Sequence, residues 1–364
     1  MKKSFLLLLL VIISLFIGGC TETSSTNKDE KEEKTNTEED SAQNKETTEK
    51  KQEQPYKALD PSEDAEQLKE TLSEEEQKNM PTAEAHGEDR ERMVPAGQTL
   101  VKGSDDQTDG PLKNHRLVAY YGHPNSENMG ILGEMGPDAL MEKLKEQTQA
   151  YSDADPSRPA IPTIELITTV AQRNPGPEGK YYHMTPEDDI DKYAKLAKEN
   201  NALLMLDVQL GTDSVLNQVK LIEKWLKLPY VHLAIDTEFH VSEGETPGVD
   251  LGQVDGAEVQ KAVEYLSKLV EKHNLPDKIV LVHQFMDEAV TNKQAIQSTG
   301  NIEVALNYDG WGPSATKMSL YRKFVRNESS QYGGFKIFYN KDEPVMSPEE
   351  VLKLDPAPAI INYQ

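Results

Sequence analysis

Asp236 and Glu238 are the residues of this chain best placed to do chemistry together. They close the stretch Val231 to His240, VHLAIDTEFH. In a strand, side chains alternate between faces, so Val231, Leu233 and Ile235 share one side and His232, Ala234, Asp236 and Glu238 the other. Two acids on one face stand roughly 6.5 to 7 Å apart at the backbone. Burying both as anions is costly, so one is expected to keep its proton near neutral pH, the requirement for a general acid. Glu238, nearer the strand end, is the expected donor, and Asp236 stays ionised if Lys336 or backbone donors reach it. A pair of acids satisfied by neighbouring cations and amides is the alternative reading of the same pattern.

Other apolar runs end in the same way. PTIELIT carries Glu165, ALLMLDVQL carries Asp207 and Gln209, and LVHQF carries His283 and Gln284, whose facing the pattern leaves open. NYDGWG supplies Asn307, Asp309 and Trp311, GGFKIFY supplies Lys336, and LVAYYG offers Tyr120 or Tyr121. The candidate catalytic set is Glu238, Asp236, Asp207 and Asp309. The candidate binding set is Glu165, Gln209, His283, Gln284, Asn307, Trp311, Lys336 and Tyr121. Each has a plainer reading: Lys336 as an ion-pair partner, His283 as a hydrogen-bonded core residue, Trp311 as a packed loop residue. A divalent ion on Asp207, Asp236 and His283 lacks HxH or HExxH spacing, so neither metal nor cofactor is expected.

The elements that position these residues alternate. Strands are expected at Leu117–Gly122, Ile161–Thr168, Ala202–Leu210, Val231–His240, Lys278–Phe285, Ile302–Tyr308, Gly334–Tyr339 and Ile360–Tyr363. Helices are expected from Pro137 to Tyr151, Thr185 to Asn200, Ser214 to Leu226, Asp255 to His273 and Pro348 to Leu354, set by apolar spacing, caps and prolines. Strand–helix alternation implies a parallel sheet with helical cover, and this strand count fits an α/β fold, a closed (β/α)8 barrel of the TIM type. The glycines of Gly130 to Gly136 do not have dinucleotide-binding spacing. In such barrels the C-terminal strand ends form the mouth where chemistry occurs. The polar residues above all fall there, and QRNPGPEGKYY, Gln172 to Tyr182, is long enough to form a rim.

Residues 1–20 have the organisation of an export signal: Lys2 and Lys3, an apolar run from Phe5 to Ile17, then Ile17-Gly18-Gly19-Cys20. This ending resembles the bacterial lipobox, which implies acylation of Cys20 and a lipid anchor on the outer, extracytoplasmic face of the cell membrane. Cys20 is the single cysteine, so no disulfide supports the fold. Residues 21–113 are rich in Glu, Lys, Thr, Ser and Gln and are expected to form a disordered acidic tether, with at most a short helix at Ala65 to Lys78. The domain then spans residues 114–364. A formal net charge of -24 argues against a nucleic-acid partner.

LVAYYG, GILGE, PTIELITTVAQ, LDVQLG, AIDTEF, LVHQF, DGWGPSATK and GFKIFY together resemble an uncharacterised family of exported bacterial proteins, many of them lipoproteins. Locally, Leu233 to Phe239 is similar to the DxDxE motif of glycoside hydrolase family 18, except that Ala234 stands where that motif has its first Asp. The resemblance implies Glu238 as the general acid and Asp236 as the acid that orients a substrate acetamido group. The resulting expectation is a lipid-anchored hydrolase acting on a glycan such as a cell-wall polysaccharide. A non-catalytic glycan- or solute-binding lipoprotein and a metal-dependent hydrolase are the alternatives.

Overall fold

The computed structural model describes residues 54–66, 92–328 and 330–364. Its strands, in chain order, are β1 (Arg116–Gly122), β2 (Ala160–Ala171), β3 (Tyr182–Met184), β4 (Leu203–Gly211), β5 (Val231–His240), β6 (Val254–Asp255), β7 (Lys278–Gln284), β8 (Val290–Thr291), β9 (Ile302–Tyr308), β10 (Tyr332–Ile337) and β11 (Ile360–Tyr363). Neighbours run β1-β11-β10-β9-β7-β5-β4-β2, and β2 pairs back onto β1. All eight pairings are parallel, so the sheet has no free edge: it is a closed (β/α)8 barrel. Seven of the eight barrel strands begin and end within two residues of those expected, and β2 runs three residues past Thr168 to Ala171. Outside the barrel, β3 lies antiparallel on the end of β2, and β6 pairs with β8.

The helices are α1 (Pro137–Ala154), α2 (Glu187–Glu199), α3 (Val215–Leu221), α4 (Glu223–Leu226), α5 (Gly256–His273), α6 (Ser314–Tyr321) and α7 (Pro348–Leu352). α1 begins with Pro137, whose missing N–H costs nothing in the first turn, and buries Leu140, Met141, Leu144, Thr148 and Tyr151. Asp255 caps α5 by accepting from the Ala257 N–H, and Asn274 ends it in the left-handed conformation. The single helix expected over Ser214 to Leu226 is two, interrupted at Ile222, which is followed by the turn from which Trp225 donates to Asp191 (2.6 Å). Between β7 and β9 the backbone forms two three-residue turns, Asp287–Ala289 and Lys293–Ala295, and the short β8, so the helical cover is incomplete there. None of the described helices is long and apolar enough to cross a membrane.

The domain boundary expected at residue 114 moves toward the N-terminus. Residues 54–66 and 92–113 pack on the N-terminal ends of the barrel strands. Lys57 N–H donates to the Asn201 carbonyl (2.8 Å) and Leu59 N–H to that of Ala160 (2.9 Å). Leu100 bridges Tyr332, and Val101, Thr108 and Leu112 are buried. The buried Glu303 carboxylate accepts from the amides of Leu112 (3.2 Å) and Lys113 (3.1 Å), while Tyr332 donates to Asp106 (2.7 Å). Arg116, fully buried, pairs with Asp155 and donates to the carbonyl of Gly97 (2.8 Å). A polar composition conceals this floor because it is held mainly by backbone and side-chain hydrogen bonds, with few apolar anchors. Cys20, the apolar run before it and nearly all of Ala65 to Lys78 lie outside the described residues.

Candidate active site

Register fixes which strand-end residues meet. Gln209 stands beside Asp236, Asp236 beside His283, and His283 beside Asn307 in successive parallel pairs, so they share one layer facing the barrel interior. His283 is therefore the inward residue of its pair. Its Nε2 lies 2.7 Å from Glu165 Oε1 and its Nδ1 2.7 Å from Asp309 Oδ2. Gln284 faces the helical layer and donates to the Phe324 carbonyl (3.0 Å), which removes it from the expected binding set. Asn307 donates to the other oxygen of Asp309, and Asn362 of β11 donates to Glu165 Oε2.

Tyr121, not Tyr120, points into this layer. Its hydroxyl lies 3.4 Å from Asp207 Oδ2 and 3.5 Å from Asp236 Oδ2, long contacts for a group with one proton to give. Gln209 donates to Asp236 Oδ2 (3.3 Å), and its own carbonyl is fixed by the Ala171 N–H (3.0 Å). Lys336 sits 3.6 Å over the Tyr121 ring and 3.7 Å from Asp309, so the ion-pair reading of this lysine holds.

A cavity of about 300 Å³ opens above the layer. Its floor is Tyr121, Gln209, Glu238, Asp309 and Lys336, and Phe285, Phe338 and Trp311 rise along its side. Trp311 is 49% exposed, with Phe285 at 4.9 Å and Phe338 at 5.8 Å between ring centres, so it is presented to solvent on an aromatic support. Glu165, Asp207, Asp236, His283 and Asn307 do not line the cavity. They lie beneath it, each no more than 3% exposed. Asp207 and Asp236, expected to act on substrate, thus stand one layer below Glu238 and Asp309. A second cavity of about 430 Å³, between Tyr120, α1 and Tyr339, contains none of these groups.

The two acids that do reach the cavity titrate in opposite directions. Burial, then the nearby Asp236 and Asp309, push Glu238 up to about 8. Burial also raises Asp309, but His283 and Lys336 outweigh it and hold that carboxyl below the usual range. Burial opposes the charge on His283, and Asp309 and Glu165 overcome it, so its pKa stands well above 6.5. Glu238 thus keeps a proton at neutral pH, as expected. For Asp236, burial raises the pKa against the lowering pull of His283 and Lys336, and no backbone donor reaches it. Environments that drive two carboxyls of one cavity apart create an acid and a charged partner.

Among the described residues, Glu165, Asp207 and His283 offer ligand atoms all within 4.8 Å of one another, with Glu165 in the place expected of Asp236. Sequence reasoning missed Asn362, Phe285 and Phe338. Asn362 is open to the same parity argument as the other strand ends, since it lies within the expected strand Ile360–Tyr363.

No family model matches the chain, and no curated relative matches it. Solved structures similar to it include the following two. One is Thermotoga maritima Cel5A, a mutant form in complex with cellobiose, at 8% identity and a TM-score of 0.37, covering 72% of this chain and 91% of its own. The other is XEG5A, a GH5 xyloglucan-specific endo-beta-1,4-glucanase from a metagenomic library in complex with cellotriose, at 10% identity and a TM-score of 0.37, covering 74% and 87%. At these scores neither likeness bears on what this chain does, and its barrel rests on its own strand pairing.

Proposed function

We propose that this chain is a glycan hydrolase of the cell exterior in which Glu238 is the general acid. The observation that carries the reading is Glu238 itself, a carboxyl pushed up to about 8 on the floor of a cavity flanked by an exposed tryptophan. A sugar ring stacked along Trp311 and Phe285 brings a glycosidic oxygen over the floor. Glu238 gives its proton to that oxygen as the bond to the anomeric carbon breaks. Asp309 offsets the positive charge that develops on the carbon, and water completes the new C–O bond and returns a proton to the site. Both oxygens of Asp309 are already engaged, by His283 and Asn307, which favours electrostatic stabilisation over covalent attack. The likeness to family 18 supports Glu238 in its role. Asp236, beneath the floor, acts on Glu238 through its charge instead of holding an acetamido group.

The engaged oxygens of Asp309 also favour a second reading, a glycan-binding module without turnover. Reducing-end release from chito-, cello- and peptidoglycan-derived oligosaccharides separates the two, because a binding module retains a ligand and releases nothing. On any oligosaccharide that is bound, Trp311→Ala is expected to weaken affinity by about 3- to 10-fold, the worth of one aromatic contact. Unchanged affinity would remove Trp311 from the site.

The apolar run ending in IGGC supports a lipid anchor at Cys20 and an extracytoplasmic location. Cys20→Ala is expected to shift the protein from the detergent phase to the aqueous phase or to leave an uncleaved precursor. Unaltered partitioning and processing would refute the anchor.

A further inference from the structure

We propose that Glu165, Asp207 and His283 bind one divalent first-row transition-metal ion beneath the cavity floor. All three are buried, at 0 to 1% exposure, and their ligand atoms converge within 4.8 Å. Ligands about 2.0 to 2.2 Å from a shared ion stand roughly 3 to 4 Å apart, so sub-ångström shifts close the site.

The independent observation is Asp207 Oδ1, a buried oxygen with no hydrogen-bond partner. As a carboxylate oxygen it carries uncompensated charge, and as a hydroxyl it donates to nothing. Either state is costly in a sealed interior. A proton shared between His283 and Glu165 satisfies those two residues and leaves Asp207 Oδ1 as it was. A cation satisfies all three.

The remaining atoms of each ligand are already held by outer hydrogen bonds. His283 Nδ1 faces Asp309 Oδ2 at 2.7 Å, which keeps a proton on Nδ1 and leaves Nε2, now hydrogen-bonded to Glu165, as the nitrogen that can turn to a metal. Asn362 holds Glu165 Oε2, and the Tyr121 hydroxyl lies against Asp207 Oδ2. On binding, Nε2 releases its proton to solvent and its lone pair goes to the ion. One imidazole with two carboxylates suits Zn²⁺ or Mn²⁺ better than Ca²⁺, which takes oxygen ligands only. The ligands do not line the cavity, so the ion supports the floor and orients Asp309 through His283. The proposal is independent of glycan turnover, and its test does not measure it.

The full chain is stripped with EDTA, incubated with Zn²⁺, Mn²⁺ or Ca²⁺, desalted and assayed for bound metal. About one Zn²⁺ or Mn²⁺ per chain, with no Ca²⁺, is expected. Asp207→Asn should abolish retention, and Asp309→Asn should weaken it by about 10- to 100-fold while leaving all three ligands in place. Glu258→Gln, at a partly exposed residue of α5 that pairs with Lys261, should change nothing. Failure of the wild type to retain Zn²⁺ or Mn²⁺, or equal retention by Asp207→Asn, overturns the proposal. X-ray absorption of the wild-type Zn²⁺ form covers the case in which a variant misfolds. One imidazole with oxygen neighbours at about 2.0 to 2.2 Å supports the site, and a spectrum without imidazole scattering overturns it.

Discussion

Glu238→Gln is expected to lose at least about 100-fold in turnover on any glycan the wild type cleaves, with affinity retained, because the amide keeps the shape and gives up the transferable proton. Its effect on stability has a defined sign. The folded-state pKa of Glu238 is raised to about 8 from 4.5. Between those values the folded chain holds a proton that the unfolded chain has released, so this residue's contribution falls as pH rises from the lower value to the upper. Glutamine has no such dependence. The variant should therefore gain in melting temperature relative to wild type on going from pH 5 to pH 8. Wild-type activity should decline above about pH 8 as the acid ionises. A folded Glu238→Gln protein with wild-type turnover ends the acid assignment, and a pH-independent difference in melting temperature ends the account of its proton.

Truncation of the N-terminal segment is the second change with a large expected effect. A chain beginning at residue 54 should melt within about 2 °C of the full chain, since residues 21–53 offer little apolar surface to bury and the apolar run before them is expected to be an export signal. A chain beginning at Asn114 should not melt cooperatively. It lacks Val101 and Leu112, each worth roughly 1.5 to 3 kcal/mol when buried. It also strips the buried Glu303 carboxylate of the amide donors of Leu112 and Lys113. Losses of that size approach the about 5 to 15 kcal/mol that separates folded from unfolded chains. Equal melting midpoints for the two truncations would show that the floor is ornamental.

The barrel was legible because its strands are short apolar runs punctuated by turn residues, a pattern that survives in a single sequence. The strand-end acids were legible for the same reason, since a charged residue in such a run has few places to go. Depth was not. Asp207 and Glu238 look alike in sequence, yet one is sealed and the other lines the cavity, because depth depends on how far each strand advances in its register with its neighbours. His283 and Gln284 could not be separated until Asp236 and Asn307 flanked the histidine. Residues 92–113 escaped because their order comes from hydrogen bonds to distant strand starts, which leave no local period. α6 was missed although Pro313 precedes it, because its apolar residues lack a regular stripe.

β11 is only four residues long, and it pairs with both β1 and β10. Its contact between Leu117 and Ile360 joins positions 360 − 117 = 243 residues apart. Closure of the cylinder therefore waits on one of the most distant pairings the chain can make, and the entropy of that loop is lost before the pairing repays it. Until β11 docks, β1 and β10 each present a row of unpaired amides and carbonyls, an invitation to β-addition by another chain. The same strand supplies Asn362, the donor that fixes Glu165. Maturation of the polar layer is thus tied kinetically to ring closure, and a slow folder with two sticky edges should aggregate from its nearly complete state.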